Sequence, residues 1–129
     1  MMRDMASMKE IRGVQQVAGE RPRRWFFSHE QDLLVWFDAD GRPAAFQLAY
    51  GKYQNEHALR WKAGRGYTHH RVDDGEGRIT GKSVPILFPD GVFQAASVLD
   101  EFLKLSAELP PGIVEFVATR LREHPEYRE

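Results

Sequence analysis

The sequence predicts an α+β domain, with an antiparallel sheet of about four to six strands followed by two C-terminal helices packed mainly on one face. Residues 25–50 hold three aromatic-rich runs separated by two short polar breaks, the pattern of a β-meander. Residues 92–121 carry two apolar stripes at helical spacing, parted by Pro110-Pro111-Gly112. Strands precede helices instead of alternating with them, which separates this order from a βαβ fold.

Taken from the start, residues 1–20 are polar and lack a clean period, so a loosely held arm is expected there, with the single domain spanning 21–129. Ile11, Val14 and Val17 have the spacing of a short helix, weakened by Gly13 and Gly19. The first strand is expected over about Arg24–Ser28 and the second over Asp32–Asp38. In the second, Leu34 and Trp36 share one face and Leu33, Val35 and Phe37 the other. Both faces are apolar, which predicts a central strand covered on both sides. Asp40-Gly41 marks a hairpin, because glycine tolerates the positive φ such turns need. Pro43 then opens a third strand ending at Tyr50, where its missing N–H does least harm. Trp25, Trp36, Phe37, Phe46 and Leu48 read as core.

The next segment, 51–82, is rich in glycine and polar residues, with a short element suggested by Ala58, Leu59 and Trp61 and a strand by Tyr67–Val72. A span of this kind inside a small domain tends to be functional. Val84, Ile86 and Phe88 return to strand character, with Pro85 arguing for an edge. Asp90 is the expected N-cap of a helix running to about Glu108, with Val92, Ala95, Ala96, Leu99, Phe102 and Leu103 as its apolar stripe. Asp100 and Lys104 form an i,i+4 pair. The last helix turns Ile113, Phe116, Val117 and Leu121 inward and stops at His124-Pro125.

Composition excludes several classes of function. The 129 residues contain no cysteine, which rules out disulfides, thiolate metal sites and a cysteine nucleophile. The N-terminus has no apolar signal core and no apolar run approaches the ~18 residues of a membrane span, so a soluble, cytoplasmic, bacterial-type protein is expected. The net charge of −1 is unevenly spread, basic over 51–89 and acidic over 90–129. Such a split reads as complementary or solvated faces more readily than as a nucleic-acid footprint.

Three constellations could carry chemistry. The first is His69-His70-Arg71-Val72-Asp73-Asp74-Gly75-Glu76, with His57 upstream. These side chains shuttle protons and bind metals near neutral pH. On a strand, however, His69 and His70 point to opposite faces, and the spacing matches neither a zinc motif nor an EF-hand loop. No metal or cofactor is therefore expected. The second is an anion site built from Arg60, Lys62, Arg65, Arg71 and Lys82 among glycines, although Gly64-Arg65-Gly66 and Gly81-Lys82-Ser83 complete no phosphate-loop motif. The third joins Arg21-Pro22-Arg23-Arg24 to Trp25, Phe26 and Phe27, a basic and aromatic stretch of the kind that stacks bases. The overall acidic balance and the lack of a ribonucleoprotein signature argue against nucleic acid. No Gly-x-Ser-x-Gly elbow supports a serine nucleophile.

These residues resemble no family with an assigned activity, so no functional residue is carried over. The expected function is a non-catalytic binding or protein-interaction module that uses the polar segment 53–82, with Trp61, Arg65, Tyr67, His69, His70 and Asp73 as its contact residues. Its partner is then an unknown protein or a small anionic ligand, and a homo-oligomer through a strand edge is a further option. The alternative is an enzyme acting on an anionic metabolite. In that case His69, His70, Asp73, Asp74 and Glu76 supply acid–base groups and Arg60 or Arg65 holds the anion.

Overall fold

The computed structural model describes residues 7–16, 18–52, 56–71 and 93–127. Within them, six strands form one antiparallel sheet in simple chain order: β1 (Lys9–Ile11), β2 (Arg23–Phe27), β3 (Asp32–Phe37), β4 (Pro43–Tyr50), β5 (His57–Lys62) and β6 (Gly66–Arg71). Two helices follow, α1 (Ala95–Leu105) and α2 (Pro111–Arg122). This is the expected α+β order.

The hairpins come from local chemistry. At the β3–β4 turn the Asp38 carboxylate accepts the N–H groups of Asp40 and Arg42, while Gly41 takes φ +81°. Those two backbone donors hold the Asp38 pKa below the usual carboxylate value. A register shift between Trp36 and Phe37 absorbs the odd residue of this five-residue connection. The β2–β3 turn is closed by Ser28, whose N–H and hydroxyl both donate to the Gln31 carbonyl. At the β5–β6 turn Arg65 N–H donates to Lys62 O, with Gly64 at φ +83°.

The register sorts side chains onto two faces. One face carries Phe26, Leu33, Val35, Phe46, Leu48 and Leu59, all fully buried. Against it α1 lays Ala95, Val98, Leu99, Phe102 and Leu105, and α2 lays Ile113, Val117, Ala118 and Leu121. Each large apolar side chain removed from water here contributes roughly 1.5–3 kcal/mol. The α1 stripe is rotated from expectation: Val98 and Leu105 face inward, whereas Leu103 is among the most exposed apolar residues. Pro111 sits in the first turn of α2, where it lacks no bond, so the Pro-Pro-Gly stretch starts this helix as well as ending the loop. The Asp100–Lys104 pair forms at 3.4 Å on the exposed side of α1.

Three expectations need correction. Residues 9–11 form an edge strand, not a helical turn, with Ile11 opposite Trp25 and Glu10 opposite Phe26. Arg24 grips Glu10 through two 2.8 Å bonds, and Met8 is fully buried with its N–H on Leu105 O. Pairing to a preformed sheet outcompetes a short helix interrupted by glycine. Second, β3 is central but is covered by helices on one side only. Its other face, with Leu34 and Trp36, is half-buried, and no described helix or strand packs on it. Third, Trp25 and Trp36 therefore stand on this open face and outside the core, while Phe46 and Leu48 lie within it. The expected strand over residues 82–88 and the Asp90 cap lie outside the described residues.

Candidate functional site

Of the contact residues expected in segment 53–82, the described ones fall on both faces of the sheet and in the β5–β6 turn. Trp61, Tyr67 and His69 lie on the helix-covered face. Trp61 meets Phe116 edge-on at 5.6 Å and has the Arg120 guanidinium 4.4 Å from its ring centre. Tyr67 donates its hydroxyl to the Arg120 carbonyl at 2.6 Å and packs on His124. His70 points to the opposite face, as strand alternation requires, and shares a 3.1 Å hydrogen bond with Thr68 Oγ1. Its Nδ1 is buried with no partner, and burial first, then Arg60, lowers its pKa. Arg65 sits exposed in the β5–β6 turn. Asp73, Asp74 and Glu76 lie outside the described residues.

His69 belongs to an aromatic cluster at the end of the sheet. Its ring stacks on Tyr50 and on His57, at 5.9 and 5.1 Å between centroids, and meets Phe93 edge-on at 5.3 Å. Tyr50 Oη is hydrogen-bonded to His69 Nε2. Burial, and secondarily the neighbouring histidines, lowers the His69 pKa to about 4, and burial raises that of Tyr50. Both shifts favour the neutral pair, joined by one hydrogen bond whose direction follows the imidazole tautomer. This cluster packs the junction of sheet and helices. Among the described residues no three His, Cys, Asp or Glu side chains are placed to hold a metal.

A concave feature among the described residues lies elsewhere, on the open face. It is a cleft of about 700 Å³ lined by Ala44, Ala45, Ala63 and Trp36, together with Arg21, Arg23, Arg60 and Lys62. The register explains its shape. Arg23 pairs with Trp36, Trp36 with Ala45, and Ala45 with Lys62, so one row across four strands reads Arg, Trp, Ala, Lys on one face. The alanine leaves a gap one strand wide between an indole and an ammonium. Two of the arginines are held in place. Arg60 donates Nε and Nη2 to Gln47 Oε1 at 3.1 and 2.6 Å, and Arg23 donates Nε and Nη2 to Gln15 O at 3.3 and 2.9 Å. Arg60 also stands 5.7 Å from the Trp36 ring centre. Glu20 and Asp38 are the acids of the lining.

The cleft thus joins residues from two separate stretches of basic sequence, Arg21 and Arg23 from one, Arg60 and Lys62 from the other. The sequence reading missed this because it took Trp36 for core. The available signal was parity: Trp36 is out of phase with Leu33 and Val35, and only one phase faces the helices.

No family model, curated protein or solved structure matches this chain. The described residues form a six-stranded meander with two helices on one face and a basic, tryptophan-containing cleft on the other. No described helix is long and apolar enough to cross a membrane.

Proposed function

We propose that the protein is a non-catalytic binding module that holds a small anionic ligand in the cleft on the open face of its sheet. The observation that carries this reading is the lining itself: four cationic side chains against two carboxylates around a concave gap of about 700 Å³ that small alanines leave open. That volume falls in the range of small-molecule sites, where a few placed polar groups fix an apolar-lined pocket's specificity. Charge of one sign in a cleft attracts and retains an oppositely charged ligand. Segment 53–82 enters this reading through Arg60 and Lys62, not through His69 and His70. His69 and His70 occupy opposite faces of the sheet, which does not favour their acting as a pair on one substrate.

Titration with pyrophosphate, followed by backbone amide shifts, tests the reading. Perturbations should cluster at residues 20–23, 36–38, 44–45 and 60–63, weaken as salt is raised, and be lost in Lys62→Glu. Shifts centred on Arg65 and the His69 cluster, or no saturable shifts at millimolar anion, would remove the cleft as the binding site.

A further inference from the structure

We infer that the ligand of this cleft is a flat heteroaromatic ring carrying a phosphate monoester, of the size of a nucleoside monophosphate. The inference rests on the cleft being the binding site and specifies what fills it. Two features point to it, one geometric and one electrostatic.

The geometric feature is the gap over Ala45. Trp36 and Lys62 are two strands apart in the same row, which sets their Cα atoms about 10 Å from each other. A planar ring inserted between an indole and an alkyl stem needs contact distances of roughly 3.5–4 Å on each side, about 7–8 Å in all. The alanine methyl beneath leaves that space open, where a larger side chain would fill it. The Arg60 guanidinium lies over the Trp36 ring, 5.7 Å from its centroid and within cation–π range, so it forms part of the wall against which a ring would stack. Indole and guanidinium planes are both surfaces on which bases stack.

The electrostatic feature is the surplus of charge. Arg21, Arg23, Arg60 and Lys62 face Glu20 and Asp38, leaving two positive charges uncompensated. A phosphate monoester carries about −1.5 to −2 at pH 7 and matches that surplus, whereas a single carboxylate would neutralise half of it. The bonds to Gln47 Oε1 and Gln15 O engage the Nε and Nη2 groups of Arg60 and Arg23 and fix each guanidinium within the lining, an orientation suited to charge-assisted bonds to an anion. A mononucleotide, not a strand, is favoured because the slot is one ring wide and is bounded across the row by Trp36 on one side and Lys62 on the other.

Isothermal titration of the full chain with uridine monophosphate, uridine, inorganic phosphate and an oligouridylate of about ten residues tests the inference. The nucleotide should bind at least about tenfold more tightly than either uridine or phosphate alone, as expected when stacking and ion pairing act together. Trp36→Phe should keep most of the affinity, and Trp36→Leu should bring the nucleotide down to the level of phosphate. Lys62→Glu, a change of an exposed side chain, should weaken the nucleotide at least about tenfold, and it carries the test if Trp36→Leu does not fold. A nucleotide no tighter than phosphate overturns the flat-ring inference and leaves an anion cleft standing. Failure of both phosphate and nucleotide to bind removes the cleft reading as well. A decamer more than about tenfold tighter than the mononucleotide overturns the inference in favour of a single-strand platform, as does an unaffected Lys62→Glu variant in favour of another site.

Discussion

At the residue scale, the Tyr50–His69 pair shows how burial selects a protonation state. The folded imidazole is held at a pKa of about 4, against 6.5 for a free side chain. Between pH 6.5 and 4 the unfolded chain takes up a proton that the folded chain refuses. Stability is therefore fully present above pH 6.5 and declines as the pH falls toward 4. His70 and His124 are shifted in the same direction by burial. For His69 the loss is about 1–2 kcal/mol, reduced because water still reaches this half-buried ring. Urea midpoints measured from pH 7 to 4.5 should fall more steeply for wild type than for His69→Phe; parallel profiles would show that the ring does not report on folding. Gln31 makes a second point at this scale. It is fully buried, and its amide donates to Glu101 Oε1 at 2.8 Å and to Val98 O at 3.3 Å, tying the β2–β3 turn to α1. In the sequence it is one more polar residue in a turn.

At the scale of elements, β1 shows tertiary context overriding local pattern. Three residues cannot hold themselves as a strand, and their helical spacing is no better supported. Met8 inserts into the core beside α1, and the Glu10–Arg24 pair fastens the strand to β2. Met8→Ala should cost about 2–4 kcal/mol in chemical denaturation, the usual range for emptying a buried methionine site. A change below about 0.5 kcal/mol would mean that the segment is held by its backbone bonds alone. The helices were more legible. Apolar spacing located α1 and α2 to within a few residues, but the phase of α1 depended on which side chains met the sheet, and Leu103 lost that competition to Val98 and Leu105. The meander was legible for a related reason: Asp40-Gly41 and the aromatic runs fix hairpins locally, and β4 spans Pro43–Tyr50 as expected.

At the scale of the whole molecule, one sheet face supports the helices and the other is left for the cleft. This division should appear in amide exchange. Protection should be greatest in β3 and β4, which are paired on both sides and carry fully buried Leu33, Val35, Phe46 and Leu48, and least in the edge strand β1. Uniform protection across all six strands would indicate that the sheet opens only as a unit. The candidate site was far less legible than the fold. Arg21 and Arg23 are separated from Arg60 and Lys62 by about forty positions, and only the combined register of three hairpins brings them to one rim. The histidines that looked most chemical in the sequence were divided between the two faces by strand alternation, and most of the neighbouring rings became packing.

The sequence by itself determined the strand-then-helix order, the meander and the lack of any cysteine chemistry, because hairpin turns, apolar periods and composition act over a few neighbouring residues. Only the tertiary structure decided which face of β3 is core, that residues 9–11 complete the sheet, and that a tryptophan and four basic side chains surround one cleft. Those outcomes depend on register, and a shift of a single residue would turn every one of these side chains to the opposite face.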